Sequence, residues 1–234
     1  MRRLYNLKMK IFNDAISPAT IDIFRKHYEN NKDNNKVTLV NSHGIDTRTH
    51  IYPGTEAFAE VKKLCQKHFP DPQNNQIYAN YQRQSSPTFM HIDEYGKNRQ
   101  QETLTIIIPM HTDDRLSVVL FKEMLNCNED LHEMVKNFPY ETSVKKSNVS
   151  EQVPIDHTPF NYKKENDYLA DYLTLDGIFK YKIGDYVLFD TSQIHCSSNF
   201  KIYKEYEHKD LVQIHIGTPG SGGYNPYSNK ENDN

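Results

Sequence analysis

The chain has 234 residues, a length that suits one larger domain or one domain with an elaborate insertion. Its formal net charge of −3 argues against a broad nucleic-acid-binding surface. Neither an apolar run long enough to cross a membrane nor the apolar stretch of a signal peptide is present. The three cysteines form neither a CxxC pair nor an even set, so we expect a reduced, cytoplasmic protein.

Two amphipathic helices are predicted in the first third of the chain. Ser17 followed by Pro18 is a helix start signal, and apolar residues then recur at helical spacing. A second helix is predicted over 55–68, where Phe69-Pro70-Asp71-Pro72 ends it. We expect both helices to pack one face against the rest of the domain.

After residue 75 the pattern changes to segments rich in β-branched and aromatic residues, which indicates strands. The predicted strands are 76–83, 103–110, 116–123, 177–190 and 210–217, with a turn at Gly184-Asp185. The sequence therefore predicts a mainly β domain over 1–220, a β-sandwich or jelly roll buttressed by N-terminal helices (10–70). Its β-core would comprise 75–123 and 175–217, with an insertion or lid at 124–168 and a flexible tail at 221–234.

The segment PTFMHIDEYG contains His91 and Asp93 two positions apart. On a strand, residues i and i+2 point to the same side, so both side chains would converge on one point. His195 follows a predicted strand in GDYVLFDTSQIHCSS and is the best candidate for a second imidazole. Two imidazoles and one carboxylate form the facial triad that suits ferrous iron and leaves coordination positions open.

HxD followed by the element GDYVLFDTSQIH and a basic residue opening a final strand resembles the iron(II)/2-oxoglutarate-dependent dioxygenases. The resemblance covers about residues 10–217 and is greatest to prolyl-4-hydroxylase-like and phytanoyl-CoA-dioxygenase-like members, including short viral or marine-phage relatives. It implies a double-stranded β-helix with iron held by His91, Asp93 and His195. It also implies hydroxylation of a substrate, using O2, with decarboxylation of 2-oxoglutarate to succinate and CO2. The resemblance is compatible with ascorbate as a further cofactor.

The resemblance further implies a cation for the distal carboxylate of 2-oxoglutarate, near the start of the last strand. Lys201, Lys204 and Lys209 are the candidates, and we select Lys209 because it opens KDLVQIHI. With Lys209 inward, Gln213 and His215 also face the interior, whereas Val212, Ile214 and Ile216 pack against the helices. Tyr81 lies ten residues before His91, the offset at which prolyl-hydroxylase-like members place a tyrosine on the same carboxylate.

Other histidines are candidates for neighbours of the site. His111 follows a predicted strand, His43 and His50 lie in a predicted loop, and His215 is expected to be a hydrogen-bonded core residue. His132 and His157 fall in the insertion and are expected to be solvated.

Two other functions compete with the oxygenase. One is a cupin-like metalloenzyme that uses no 2-oxo acid, and the other is a non-catalytic jelly-roll binding module. The substrate, a small molecule or a peptide, is not named by the sequence, and neither is the oligomeric state. If the chain is viral, the expected location is the host cytoplasm.

Overall fold

The architecture is a sandwich of two antiparallel sheets with two helices against the outer face of the larger one. The computed structural model describes residues 9–33, 45–69, 72–88, 90–93, 104–124, 173–203 and 207–217. The insertion beyond Met124, the predicted tail, His43, His132, His157 and Lys204 lie outside these residues. The mainly β fold predicted from the sequence is confirmed, whereas the predicted domain boundaries remain a prediction.

Both helices begin where their capping residues predict. Helix α1 spans Pro18–Asn31 and α2 spans Glu56–Gln66. Ser17 Oγ accepts from the Thr20 amide, and Thr55 Oγ1 accepts from the Phe58 amide, both at 3.1 Å. Each helix buries its apolar face against the larger sheet. Neither helix is long and apolar enough to span a bilayer.

In the part of the chain that the structure describes, the larger sheet has six strands in the order β1-β7-β4-β9-β3-β2, and the smaller has three in the order β6-β5-β8. All pairings are antiparallel, as a jelly roll requires. The strands are β1 (Lys10–Phe12), β2 (Ile45–His50), β3 (Ile77–Gln84), β4 (Leu104–Pro109), β5 (Asp113–Met124), β6 (Leu175–Tyr181), β7 (Tyr186–Asp190), β8 (Gln193–Ser197) and β9 (Lys209–Ile216).

Three of these strands were not predicted. Strand β2 falls in a predicted loop, because IDTRTH is too polar to resemble a strand; its pairing with β3 supplies the stability that its side chains do not. Strand β1 is only three residues long. Strand β8 is separated from β7 by only two residues, so the run that ends in His195 is two strands. The predicted turn at Gly184 is present, with φ of +95°.

Strand β9 divides its side chains between two cores, as its alternation predicts. Val212, Ile214 and Ile216 belong to the core beneath the helices, whereas Leu211 belongs to the core between the sheets. We call the space between the two sheets the interior. Because alternate residues face opposite ways, Lys209, Gln213 and His215 share the interior face of β9.

An ion pair between the buried Asp210 and the partly buried Arg83 lies on the helix side of β9. Both Asp210 carboxylate oxygens accept from the Arg83 guanidinium, at 2.9 and 2.8 Å, and Tyr81 donates to Oδ2 at 3.1 Å. The Tyr81 ring stacks on Tyr28 of α1 at 4.4 Å between centroids. This cluster joins β3, β9 and the first helix, and it fixes which face of β9 turns inward.

Replacement of Asp210 by Asn should therefore destabilise the fold by about 2 kcal/mol, because it leaves the partly buried Arg83 charge without its partner and weakens a charge-assisted hydrogen-bond cluster. Denaturant unfolding measures this loss. The matched control is Asp14→Asn, which breaks the exposed pair with Lys182 and should cost less than about 1 kcal/mol. Equal losses in the two variants would contradict the importance given to the Asp210–Arg83 pair.

Candidate metal centre

The side chains of His91 and Asp93 meet that of His195, which is distant in the sequence, at one point of the interior. The Nε2 atom of His91 lies 3.5 Å from Asp93 Oδ1, and the Nε2 atom of His195 lies 3.4 Å from Asp93 Oδ2. Potential ligand atoms from all three residues lie within 4.8 Å of one another. Both imidazoles are buried, and their ring centroids are 4.2 Å apart. This donor set could hold a divalent metal ion.

The backbone brings these residues together by pairing two short segments. His91 and His195 exchange two backbone hydrogen bonds, of 3.0 and 2.9 Å, and the Asp93 amide donates to Thr191 O at 2.8 Å. The expected strand around His91 is reduced to this single bridge, and Asp93 lies in a bend. The two side chains still converge, because the bend turns the carboxylate back towards the imidazoles.

The His195 ring is prepared to act as a ligand through one nitrogen. Its Nδ1 lies 2.9 Å from the carbonyl oxygen of Gln193, which only accepts, so Nδ1 carries the proton. Burial lowers the pKa of His195 to about 4, although the Asp93 charge opposes the shift, so the ring is neutral near pH 7. The lone pair on Nε2 of His195 then faces the lone pairs of an Asp93 oxygen. This contact is unfavourable by itself and becomes favourable when a cation binds between the two atoms.

Asp93 is a buried carboxylate whose charge is compensated on several sides. Burial by itself would raise its pKa, but the neighbouring imidazoles, His195 foremost, hold the pKa far below its ordinary range. Thr105 Oγ1 donates to Oδ2 at 2.9 Å, and Gln213 Nε2 donates to Oδ1 at 3.2 Å. Each oxygen thus has one fixed donor and a further lone pair available to a metal.

A chain of side-chain amides extends from Asp93 across the interior face of β3. Gln82 donates to Gln213, Gln84 Nε2 donates to Gln82 Oε1 at 2.8 Å, and Thr88 Oγ1 donates to Gln84 Oε1 at 3.2 Å. Every bond in this glutamine chain donates in the direction of Asp93. Aligned hydrogen bonds of this kind polarise one another, so the chain supports the negative charge of Asp93 and fixes its orientation.

The glutamine chain ends near the basic residue selected from the sequence. Lys209 is 1% exposed, and its Nζ donates to Ser197 Oγ at 2.6 Å. Its other neighbours are the rings of Tyr181 and Phe200, with centroids 5.3 and 5.5 Å away. No carboxylate among the described residues pairs with it. Burial lowers the pKa of Lys209 to about 7, because an ammonium group in this apolar setting lacks hydration.

The structure does not bring Tyr81 to the interior. Tyr81 lies on the helix face of β3, where it bonds Asp210 and stacks on Tyr28. The offset from His91 predicts the strand correctly but not the face, because β3 alternates with period two and Tyr81 falls on the outer face. Tyr81 therefore contributes to the cluster around Asp210 and does not face the interior, where the 2-oxoglutarate carboxylate was expected.

Of the other residues singled out in the sequence, Lys201 and His111 lie away from the metal centre, whereas His215 lies close to it. Lys201 is exposed on a short helical turn and donates to the Glu207 carbonyl. His111 lies 4.0 Å from Asp210 on the outer side. His215 is close to the centre, since its Nδ1 is 3.1 Å from Thr105 Oγ1, while Thr105 itself donates to Asp93.

Several residues of the site were missed in the sequence. Asn80, Gln82 and Gln84 are polar residues at every second position of β3, a pattern that ordinarily indicates a solvated face. The signal that could have distinguished them is their chemistry. Uncharged amides, which can both donate and accept, suit a buried polar network better than an exposed face, which favours charged residues.

Replacing Gln213 by Met should weaken metal binding about tenfold, because it removes the donor that orients Asp93 while it preserves side-chain length. Titration of the purified chain with Co(II) or Mn(II) measures the dissociation constant. Gln84→Met is the matched control: it keeps the first two hydrogen bonds of the glutamine chain counted from Asp93, removes the third, and should change the constant less than about threefold. Equal effects would indicate general repacking rather than orientation of the carboxylate.

No protein-family model matches the sequence, and a comparison with curated proteins gives no match. The solved structures give clear matches at the level of fold. A prolyl-4-hydroxylase from Pseudomonas putida aligns over 90% of this chain and 91% of its own, with a TM-score of 0.51 and 8% identity. SnoK, an alpha-ketoglutarate-dependent carbocyclase from nogalamycin biosynthesis, aligns over 90% of this chain and 79% of its own, with a TM-score of 0.53 and 13% identity.

HygX from Streptomyces hygroscopicus, with nickel and 2-oxoglutarate bound, aligns over 91% of this chain and 83% of its own, with a TM-score of 0.50 and 12% identity. At these identities the comparison concerns the course of the backbone. The chain has the jelly-roll fold of the 2-oxoglutarate-dependent oxygenases.

Proposed function

We propose that this protein is an iron(II)- and 2-oxoglutarate-dependent oxygenase that hydroxylates its substrate. The observation that carries the proposal is the position of two unlike groups in one interior: a His–Asp–His donor set and a buried lysine with no carboxylate partner among the described residues. The donor set suits ferrous iron. The lysine suits a carboxylate that arrives with a second molecule.

His91, Asp93 and His195 would hold the metal, each through one atom. Three protein ligands leave positions for a chelating 2-oxo acid and for O2. When bound, iron and the 2-oxo acid supply oxygen activation coupled to decarboxylation, which yields succinate and CO2. The chain itself keeps Asp93 ionised and oriented through Thr105 and Gln213, and keeps Nε2 of His195 unprotonated through the Gln193 carbonyl.

Lys209 would bind the distal carboxylate of 2-oxoglutarate. The ammonium group is already oriented by Ser197 Oγ, which also accepts from the Thr88 amide at 3.2 Å. The ring of Tyr181 lies 5.3 Å from this ammonium group, and its buried hydroxyl, which has no hydrogen-bond partner among the described residues, would be a second donor for the same carboxylate. The surrounding side chains, including Leu211 and Phe200, are apolar and exclude water, which strengthens the charge pairing.

The buried lysine also separates the proposal from its competitors. A cupin-like metalloenzyme that uses no 2-oxo acid does not need a buried ammonium group such as that of Lys209. A non-catalytic binding module does not need a His–Asp–His donor set. Both alternatives therefore fit the interior less well than the oxygenase.

Substitution of Asp93 by Ala should abolish Fe(II)-dependent conversion of 2-oxoglutarate to succinate and should also remove metal binding. Succinate formation and Co(II) titration give the two readouts. The control is His111→Ala, which removes a histidine from the opposite side of the sheet and should leave both unchanged. Intact turnover in Asp93→Ala would exclude the proposed metal centre.

Lys209→Met should weaken 2-oxoglutarate binding about 30-fold or more, because it removes one partner of a buried charge pair. The wild-type affinity should be greatest below pH 7 and fall by up to about tenfold per pH unit above it, since only the protonated lysine binds the carboxylate and its pKa is about 7. Calorimetric titration of the Mn(II)-loaded chain between pH 6 and 9 measures this.

Lys209→Arg is the matched variant for the pH profile, because guanidinium stays charged throughout this range. Its affinity for 2-oxoglutarate should be independent of pH. A wild-type affinity that is itself flat above pH 7 would contradict the role of Lys209.

A further inference from the structure

A row of polar groups without partners leads away from the metal centre along β3 and β2. Asn80 is 0% exposed, yet neither atom of its side-chain amide has a hydrogen-bond partner among the described residues. Buried amides are nearly always bonded, and an orphaned one is costly unless something that binds there satisfies it. Asn80 is therefore a sign of a ligand that the described part of the chain does not provide.

Arg48 and His50 continue the row on the neighbouring strand. In the β2–β3 register His50 is directly opposite Asn80, and Arg48 is opposite Gln82, so these side chains share the interior face at about 5 Å between Cβ atoms. The Nε atom of Arg48 and the Nδ1 atom of His50 are both buried, and within the described ranges neither has a hydrogen-bond partner. In the part of the chain that the structure describes, no carboxylate forms an ion pair with Arg48.

The row begins beside the metal centre and ends at the edge of the larger sheet. Asn80 is opposite Gln213 on β9, and Gln213 donates to Asp93. At the other end, β2 is the outermost strand of its sheet. The rings of Tyr52 and Tyr78 pack around His50, with centroids 5.8 and 5.4 Å away. A molecule lying along this row would reach from the sheet edge to the metal.

We propose that Arg48, His50 and Asn80 recognise an oxyanion, a carboxylate or a phosphate, carried by the molecule that is oxidised. A guanidinium binds such a group through paired N–H donors, and the imidazole and amide add neutral donors on the same side. Anion binding follows from the unpartnered groups alone. The further statement that the oxyanion belongs to the oxidised molecule rests on the proposed function.

The cosubstrate has a separate cation. Lys209 and Gln213 are four residues apart on β9, which is roughly 13 Å along an extended strand, and Asn80 pairs with Gln213 rather than with Lys209. The oxyanion row and the lysine therefore lie towards different ends of the interior. Each end presents positive charge, and the metal centre contacts the row through Gln213.

Inorganic phosphate and acetate are the probes that test the row, titrated calorimetrically at constant ionic strength into the full chain loaded with Mn(II) and 2-oxoglutarate. Arg48→Gln should raise the dissociation constant of the preferred probe at least tenfold. Lys180→Gln, which removes an exposed cation from the outer side of β6, should change it less than twofold. The stronger of the two probes identifies the oxyanion as phosphate or carboxylate.

Asn80→Leu gives a second readout that a purely structural amide would not produce. The substitution removes two unpaired buried groups, so it should raise the melting temperature by about 2 °C or more while it weakens probe binding. A melting temperature that falls, together with unchanged probe binding, would show that Asn80 serves the fold and would overturn its place in the site.

The outcomes separate this inference from the proposed function. Probe binding that depends on Arg48 in a chain that binds neither metal nor 2-oxoglutarate supports the oxyanion site and contradicts the oxygenase. Probe binding indifferent to Arg48→Gln overturns the inference whatever the turnover. If Arg48→Gln weakens the binding of 2-oxoglutarate as strongly as Lys209→Met does, the row binds the cosubstrate and the inference is also overturned.

Discussion

The burial of one carboxylate governs the interior of this protein. Asp93 can remain charged away from water because Thr105 and Gln213 donate hydrogen bonds to its two oxygens, and the Nε2 atoms of both imidazoles lie beside the same oxygens, where a metal ion would add positive charge. The donors come from β4 and β9, and the imidazoles come from two segments paired through their backbones. The sheet register, the glutamine chain and the metal-binding capacity of the site therefore depend on the same requirement.

A strand with two different faces delivers these groups. On β9, Asp210 faces outward to Arg83, whereas Lys209 and Gln213 face inward. A shift of one residue would turn Asp210 into the interior near the position of Lys209 and would expose apolar side chains to the glutamine chain. The outer ion pair thus contributes to function without touching the site, since it holds the register that separates the two sets of charges.

The parts of the fold that could be predicted are those whose signal is local. Ser17-Pro18 begins a helix by capping, and Gly184 makes a turn by its positive φ, so neither depends on distant residues. Strand β2 could not be predicted, because its side chains are polar and its order comes from pairing with β3. Tyr81 shows the same limit, because sequence offset does not reveal which side of a strand is covered by helices.

The sequence by itself determined the chemistry available: the spacing of His91 and Asp93, the candidate His195, and the alternation that turns Lys209 inward with Gln213. Only the tertiary structure decided which buried polar groups have hydrogen-bond partners. The glutamine chain and the unpartnered row of Arg48, His50 and Asn80 exist only because strands distant in the chain become neighbours. Hydrogen bonding between side chains is decided by register and facing, and these are properties of the assembled sheets.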